Sequence, residues 1–196
     1  CSVYGKPDSL PVVEKTPFKK GESPYAESKQ KCELLINKNI CNSISLRYFN
    51  PIGCHESALI GDYSARKFSN LIPIISDVVK GKRSKITIHG NDYKTHDGTC
   101  IREYIHVQDL ANAHVAALNF LLKTKGKFVF NVGAGMVLSV LDIIKAFEKY
   151  NNVKVNYKIG KRRRGDVEKI YSNCDKISNV LKWKSSRSLS EALTSA

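Results

Sequence analysis

Apolar residues recur along the chain in alternating strand-like and helix-like patterns. Short runs rich in β-branched and aromatic residues, such as SISLRYFN (43–50), predict strands. Longer stretches with apolar residues three and four apart, such as VQDLANAHVAALNFLLK (107–123), predict helices. Strands are predicted at the end of 1–5, at 43–50, at 85–90, at the end of 90–107, at 128–135 and at 153–159. Helices are predicted at 25–38, 68–81, 107–123, 139–150 and after Asp175. The helix at 139–150 begins with a Ser139/Asp142 capping box. This alternation of strands and helices predicts an α/β fold.

The composition allows a normal hydrophobic core and bears on where in the cell the protein is expected. The chain has 196 residues, of which 42% are hydrophobic, and it contains no apolar run long enough to span a membrane. Its first ten residues lack the charged and apolar blocks of a secretory signal. The six cysteines show neither a CxxC pair nor zinc-finger spacing, so we expect reduced thiols and no metal site. Together with the absence of N-x-S/T sequons, this predicts a cytoplasmic protein without a membrane partner.

The net charge of +14 fits either a lysine-rich solvated surface or an anionic partner, which could be nucleic acid, a membrane surface or a phosphorylated ligand. Most lysines are dispersed, and no basic stripe is interleaved with aromatic residues, so we expect no nucleic-acid partner. One basic cluster stands out, GKRRRGD at 160–166.

A second segment resembles a dinucleotide-binding turn. In NVGAGMVL (131–138), Gly133 and Gly135 lie between a predicted strand and a predicted helix. Leu138 stands where the third glycine would be needed, and no acidic residue follows at the end of a second strand. The segment therefore predicts a tight turn and not a cofactor site.

Tyr25 and Lys29 lie four residues apart at the start of a predicted helix, so their side chains share one face. An ordinary helix start with an exposed lysine would give the same pattern. A tyrosine acting as a general base is the alternative, and lowering its pKa from about 10 to ~7 takes roughly 4 kcal/mol. An ammonium at ~5 Å with an effective dielectric of ~20 supplies about 3 kcal/mol. A second cation, such as an oxidised nicotinamide, could supply the remainder.

Four motifs occur in an informative order. They are VYG (3–5), SPYAESK (23–29), LRYFNPIGCHESALIGD (46–62) and GNDYKTHDGTCIREYIHVQDLA (90–111). In this combination the chain resembles the extended short-chain dehydrogenases/reductases, and among them the UDP-glucose 4-epimerases. The resemblance implies the C-terminal part of a Rossmann-type doubly wound parallel sheet plus a smaller α/β substrate-binding domain. Residues 1–49 and 104–133 would belong to the NAD-binding domain, and residues 50–103 and 134–196 to the UDP-sugar-binding domain.

The resemblance also indicates what the chain lacks. The family's GxxGxxG turn for the NAD pyrophosphate is not in this sequence, and the family's serine in S-x-x-V-Y-G would fall one position before Cys1. We therefore expect the later part of an epimerase, inactive as this chain alone.

The activity implied by the resemblance is the NAD-dependent interconversion of UDP-galactose and UDP-glucose through a 4-keto intermediate. Tyr25 would be the base and then the acid, while Lys29 would hold the nicotinamide ribose and lower the Tyr25 pKa. Ile170 lies where the family varies the residue beside the sugar's N-acetyl position. Because isoleucine is smaller than the tyrosine found there in some members, the resemblance also suggests UDP-N-acetylhexosamines as substrates. The family also implies a homodimer.

The remaining site residues follow from the same motifs. Tyr48 and Phe49 would lie near the nicotinamide and the sugar, although core aromatics would fit equally. Guanidinium groups grip phosphate oxygens in pairs, so the basic cluster would be an anion clamp. The predicted substrate-binding set is Tyr48, Phe49 and Asn50 after a strand, Ser69, Asn70 and Leu71 at a helix start facing the diphosphate, Thr87, Ile88 and His89 beside uracil, Arg102 and Arg163 on the diphosphate, and Arg164, Gly165 and Asp166, the last on a ribose hydroxyl.

Two other functions share parts of this pattern. Sugar 4,6-dehydratases and UDP-glucuronate decarboxylases also carry YxxxK, but dehydratases place an acidic pair where this chain has Cys1 and Ser2. A basic nucleic-acid-binding or interaction module would instead show salt-sensitive binding to unrelated DNA.

Overall fold

The computed structural model describes residues 1–61 and 70–196. A 3₁₀ turn at Ser2–Tyr4 opens the chain. The helices are α1 Pro24–Asn39, α2 Leu71–Val79, α3 Val107–Lys123, α4 Val140–Asn151, α5 Asp175–Leu181 and α6 Leu189–Thr194. The strands are β1 Ser43–Tyr48, β2 Asn50–Ile52, β3 Ile86–His89, β4 Ile101–His106, β5 Lys127–Val132, β6 Met136–Ser139, β7 Tyr157–Gly160 and β8 Lys169–Ile170.

Parallel pairing dominates the sheets. Strand β1 pairs with β5, β3 pairs with β7, and β4 pairs with both β2 and β8, all in parallel. Strand β6 pairs with β4 in the antiparallel sense. This mixture of helices and mostly parallel strands confirms the predicted α/β class. The division into two domains remains a prediction.

Capping residues set the helix boundaries that the sequence suggested. The Ser23 hydroxyl accepts from the backbone N–H of Ala26, and Pro24 occupies the first turn of α1, where no N–H is needed. Ser139 and Asp142 form the predicted capping box of α4. Helix α3 has the predicted bounds, because His106 caps its start through the N–H of Gln108.

The buried apolar residues form three clusters. The first joins α2, α4, α6 and β3 around Ile75 and Ile143. The second joins β4, β5, α3 and α5 around Ile105 and Phe130. The third joins the 3₁₀ turn to the end of β1 and contains Val3, Tyr4, Val12, Phe49 and Ile170.

Several boundaries differ from the sequence-based prediction. The predicted strand end at 1–5 is a 3₁₀ turn, in which the N–H of Gly5 bonds to the carbonyl of Ser2. The strand predicted at 128–135 ends at Val132, and a separate strand, β6, follows the turn. Strand β7 begins only at Tyr157, and the helix predicted over 68–81 begins at Leu71, with 68–69 outside the described residues. The strand predicted at 43–50 ends at Tyr48, and the prediction omitted β2, β6, β8 and α6.

The turn between β5 and β6 holds a buried carboxylate. A Cβ on Gly133 would lie 2.0 Å from Oε1 of Glu103, which is fully buried, and the N–H of Gly135 donates to the same oxygen at 2.9 Å. Oε2 of Glu103 accepts from the N–H and hydroxyl of Ser172. The small residue at 133 therefore makes room for Glu103.

All six cysteines lie in described segments, and each is a free thiol. Within 1–61 and 70–196, no helix is both long and apolar enough to cross a bilayer.

Candidate functional site

Helix α1 presents Tyr25 and Lys29 side by side on an exposed face. The Lys29 Nζ lies 5.3 Å from the centroid of the Tyr25 ring, and 62% of Tyr25 is exposed. The four-residue spacing predicted this proximity. A phenol and an ammonium placed in this way can interact with one bound group.

The inward face of α1 is polar, which is unusual for a surface helix. Its buried residues are Ala26 and Glu33. Between them, the Gln30 amide donates to the carbonyls of Val3 and Lys19, at 2.7 Å each. Hydrogen bonds to the 3₁₀ turn and the following loop therefore fix how α1 is rotated about its axis.

Arg47 of β1 anchors the same helix. Its Nε donates to Glu33 at 3.0 Å, and its Nη2 makes a further short contact with that carboxylate. Its Nη1 donates to the Tyr4 hydroxyl and to the Glu14 carbonyl, each at 3.0 Å. Burial opposes the charged form of Arg47, but the hydrogen bonds that Arg47 donates to Glu33 and Tyr4 outweigh it and raise the Arg47 pKa above its ordinary value.

The Tyr4 hydroxyl extends this network to β5. It donates to the side-chain oxygen of Asn131, and the Asn131 amide donates to the Val12 carbonyl at 3.1 Å. Burial raises the Tyr4 pKa above its ordinary value, so Tyr4 acts as a neutral hydrogen-bonding group. The helix that carries Tyr25 is thus joined to the 3₁₀ turn, β1 and β5 through buried polar atoms.

The residues that follow Arg47 point in different directions. Tyr48 is 44% exposed, and its ring centroid lies 6.2 Å from that of His114. Phe49 is buried in the third cluster beside Tyr4 and Ile170. The Asn50 amide donates to the Glu103 carbonyl at 3.1 Å, and Asn50 lines a large cavity.

This cavity has a volume of about 1270 Å³ and lies between α2, β3, β4 and the basic cluster. It brings together many of the residues predicted to bind substrate. Those that line it are Asn50, Asn70, Leu71, Thr87, Ile88, His89, Arg102, Arg163 and Asp166. Its walls in the described part of the chain do not include Tyr25, Lys29, Tyr48, Phe49, Arg164 or Gly165. Ser69 falls outside the described residues.

Two guanidinium groups converge on Asp166 in this cavity. Arg163 donates from Nε and Nη2 to the two carboxylate oxygens, at 3.2 and 2.8 Å. The Arg102 Nη2 lies 3.7 Å from the same carboxylate. The Arg163 pKa is raised by its hydrogen bonds to Asp166. Arg102 and Arg163 are therefore close enough to bind one diphosphate together.

The neighbouring Arg162 holds the segment that carries Arg163. Its Nε donates to Asp92 at 2.7 Å, and its guanidinium lies 4.1 Å from the centre of the Tyr93 ring. Burial raises the Tyr93 pKa to about 12. These contacts fix residues 160–166 against the loop between β3 and β4. Sequence reasoning assigned no role to Arg162.

The cavity wall also contains residues that sequence reasoning missed. Lys80, Lys82, Arg83 and Lys85 follow one another along it, between α2 and β3. The run KGKRSK at 80–85 was a usable signal, because it is as basic as the cluster at 160–166.

One group of side chains in the described residues has donor atoms suited to a metal ion. Donor atoms of His96, Asp97 and Asp142 lie within 4.8 Å of one another. The carboxylate of Asp97 already accepts from the N–H and hydroxyl of Thr99, and Asp142 accepts from the N–H of Ser139. These bonds give the two carboxylates a structural role at the start of α4.

Comparisons with curated sequences and with solved structures both find similarity to UDP-glucose 4-epimerases. The chain is 42% identical over 197 residues to a UDP-glucose 4-epimerase of Drosophila melanogaster, which covers 96% of this chain and 56% of that protein. The crystal structure of UDP-glucose 4-epimerase from Bifidobacterium longum in complex with NAD⁺ and UDP matches with a TM-score of 0.92 and 37% identity, over 99% of this chain and 59% of that one. A UDP-glucose 4-epimerase from Stenotrophomonas maltophila with bound NAD and formylated UDP-arabinopyranose matches with a TM-score of 0.90 and 37% identity, over 98% and 59%.

These matches confirm the resemblance predicted from the motifs. The chain spans a little over half the length of the curated relatives it matches. The profile of the family described as GDP-mannose 4,6 dehydratase matches residues 1–196. Because that profile covers the whole chain, the chain belongs to the GDP-mannose 4,6-dehydratase family.

Proposed function

We propose that the protein containing this chain is an NAD-dependent UDP-glucose 4-epimerase, which interconverts UDP-galactose and UDP-glucose. The observation that carries the proposal is the cavity in which Arg102, Arg163 and Asp166 meet the segment Thr87–His89. Two arginines that can share a diphosphate, beside an exposed histidine at the end of a strand, suit a nucleoside diphosphate. The similarity to enzymes named UDP-glucose 4-epimerase supports the same substrate class.

The chemistry is assigned to Tyr25 and Lys29. The residues present fit one end of a dinucleotide, because an exposed phenol and ammonium lie together on α1. Lys29 and Tyr25 would hold the nicotinamide ribose, and Tyr48 would contact the ring. NAD held there would supply reversible hydride transfer at carbon 4 of the sugar. Tyr25 takes the proton of the 4-hydroxyl and gives it back to the 4-keto sugar.

Inversion at carbon 4 requires the 4-keto sugar to present its other face. Arg102 and Arg163 would keep the diphosphate bound while the sugar turns, because paired guanidinium contacts hold one orientation of a phosphate. Asp166 would accept from a ribose hydroxyl, and His89 would face uracil. Holding the nucleotide separately from the sugar thus allows the rotation without release of the substrate.

The test compares Tyr25→Phe with Tyr150→Phe in the full-length protein. Tyr150 is a partly exposed tyrosine on α4 and serves as the matched control. We expect Tyr25→Phe to lower the conversion of UDP-galactose to UDP-glucose by roughly 10²–10⁴-fold, as for loss of a general acid–base group. Binding of UDP should be unchanged in both variants. Full activity of Tyr25→Phe would refute the role of this phenol.

A nucleotide-sugar 4,6-dehydratase is the second candidate, because the matching family profile carries that description. NMR analysis of the sugar product separates the two activities. An epimerase changes the configuration at carbon 4 and keeps carbon 6 oxygenated, whereas a dehydratase yields a 4-keto-6-deoxy sugar. A homodimer, activity on UDP-N-acetylhexosamines and a cytoplasmic location remain predictions.

A further inference from the structure

Several exposed lysines line the cavity that contains Arg102 and Arg163, which we call the arginine clamp. Lys80 is the C-cap that follows α2, Gly81 turns the chain with φ at 71°, and Lys82 and Lys85 follow before β3 begins. All three lysines are exposed, and all three line the cavity. We call Lys80, Lys82 and Lys85 the lysine rim.

The cavity lining is strongly unbalanced in charge. Its cationic side chains are the lysine rim together with Arg83, Arg102 and Arg163, and its acidic side chains are Asp77 and Asp166. Both acids are already paired with arginines. Asp77 lies 3.3 Å from the Arg83 Nε, and Asp166 lies 2.8 Å from the Arg163 Nη2. Within the described segments, no acidic side chain forms an ion pair with any lysine of the rim.

The fold itself does not require these charges. Lys80, Lys82 and Lys85 contribute no buried side chain, whereas the turn they occupy is fixed by backbone bonds from Lys82 and Arg83 to the Asp77 carbonyl. Unpaired lysines placed close together repel one another. An anion in the cavity would offset that repulsion.

We propose that the lysine rim steers the anionic nucleotide into the cavity and raises its association rate without contacting it in the bound state. This inference rests on the proposed function, because it takes the ligand to be a nucleoside diphosphate or its sugar ester. A cleft lined by one sign of charge concentrates the field at its mouth and speeds the capture of oppositely charged ligands.

The rim affects the association rate and not the dissociation rate, because its side chains are exposed lysines. An exposed ammonium on a flexible stem remains hydrated and makes a weak short-range contact. Its electric field nevertheless attracts an anionic ligand while that ligand is still approaching the cavity. Arg102 and Arg163, which have fixed guanidinium geometry, determine how long the diphosphate stays.

The test measures association and dissociation rates of UDP with the full-length protein by stopped flow. The rim variant is Lys80→Gln/Lys82→Gln/Lys85→Gln. The matched control is Lys123→Gln/Lys125→Gln/Lys145→Gln, which removes the same charge from exposed lysines that do not line the cavity. Each protein is measured at ~10 mM and ~150 mM salt, where the Debye lengths are about 30 and 8 Å.

The size of the effect follows from Coulomb's law. For three charges on the order of 10 Å from a ligand with two negative charges in water, the association rate should fall about 20-fold at low salt and about 3-fold at 150 mM. The dissociation rate should change by less than about twofold. The control variant should lose markedly less of the association rate at both salt concentrations.

The outcomes separate the steering proposal from the proposed function. If UDP binds and the rim variant matches the control variant, steering is wrong while the epimerase assignment stands. A loss that appears in the dissociation rate and is independent of salt would also overturn steering, because the lysines would then be direct contacts. If UDP does not bind the unmodified protein, the proposed function fails, and the steering proposal fails with it.

Discussion

Replacing Arg47 should loosen the helix that carries Tyr25. In Arg47→Met, the Glu33 carboxylate loses the donors Nε and Nη2 while it remains buried, since only 7% of the residue is exposed. The Tyr4 hydroxyl and the Glu14 carbonyl each lose a donor as well. An uncompensated buried charge is the main consequence.

Removing one partner of a buried ion pair costs about 3–5 kcal/mol. Replacing both partners by apolar residues of similar size is often neutral. We therefore expect Arg47→Met to lower the free energy of unfolding by about 3–5 kcal/mol, and Glu33→Met/Arg47→Met to recover most of that loss. The double variant should then recover its stability but not its full activity, because it no longer has the directional bonds that fix the rotation of α1.

The assay is urea denaturation of the full-length protein, followed by circular dichroism, together with turnover of UDP-galactose. Lys145→Met, an exposed substitution on α4, is the control and should be close to neutral. If Arg47→Met alone is as stable as the unmodified protein, the buried pair does not anchor α1. If the double variant is stable and fully active, the pair is not needed to orient Tyr25 and Lys29.

Three further results are expected. Arg163→Lys should raise the KM for UDP-galactose about 10–100-fold with a smaller effect on kcat, because Lys cannot make the paired contact; an unchanged KM would contradict the clamp. Burial lowers the His106 pKa below its ordinary value, so the unfolded state binds the proton more readily, and stability should fall as pH drops below about 6.5. His106→Asn should flatten that dependence in melting temperatures measured against pH, and an unaltered slope would point to another group. Gly133→Ala should lower the melting temperature, because the added Cβ would lie 2.0 Å from Glu103; equal melting would show that Glu103 can move.

The regular elements could be predicted because their signals are local. Helix α3 has the predicted bounds, since its apolar spacing and capping lie within the segment itself. Strand β6 and the 3₁₀ turn at Ser2–Tyr4 were missed, because β6 forms only through pairing with the distant β4 and the turn is held by α1. Short elements that depend on remote partners carry little signal of their own.

The candidate site was predictable to the same degree. The proximity of Tyr25 and Lys29 follows from helix geometry alone, and Arg102 and Arg163 were placed together by motif. The burial of Phe49 and the position of the lysine rim along the cavity depend on tertiary packing. The Glu33–Arg47 pair was also missed, because neither residue belongs to a catalytic pattern and only the fold shows that both are buried.

The environment of Glu103 has a consequence for the protein in concentrated electrolyte. Both of its oxygens are occupied by uncharged donors, Gly135 and Ser172, deep inside the molecule, where dissolved ions do not reach. The lysine rim faces the solvent directly. As ionic strength rises, the hydrogen bonds that join β4 to its neighbouring turns should therefore be preserved, and only the rate of ligand capture should decline.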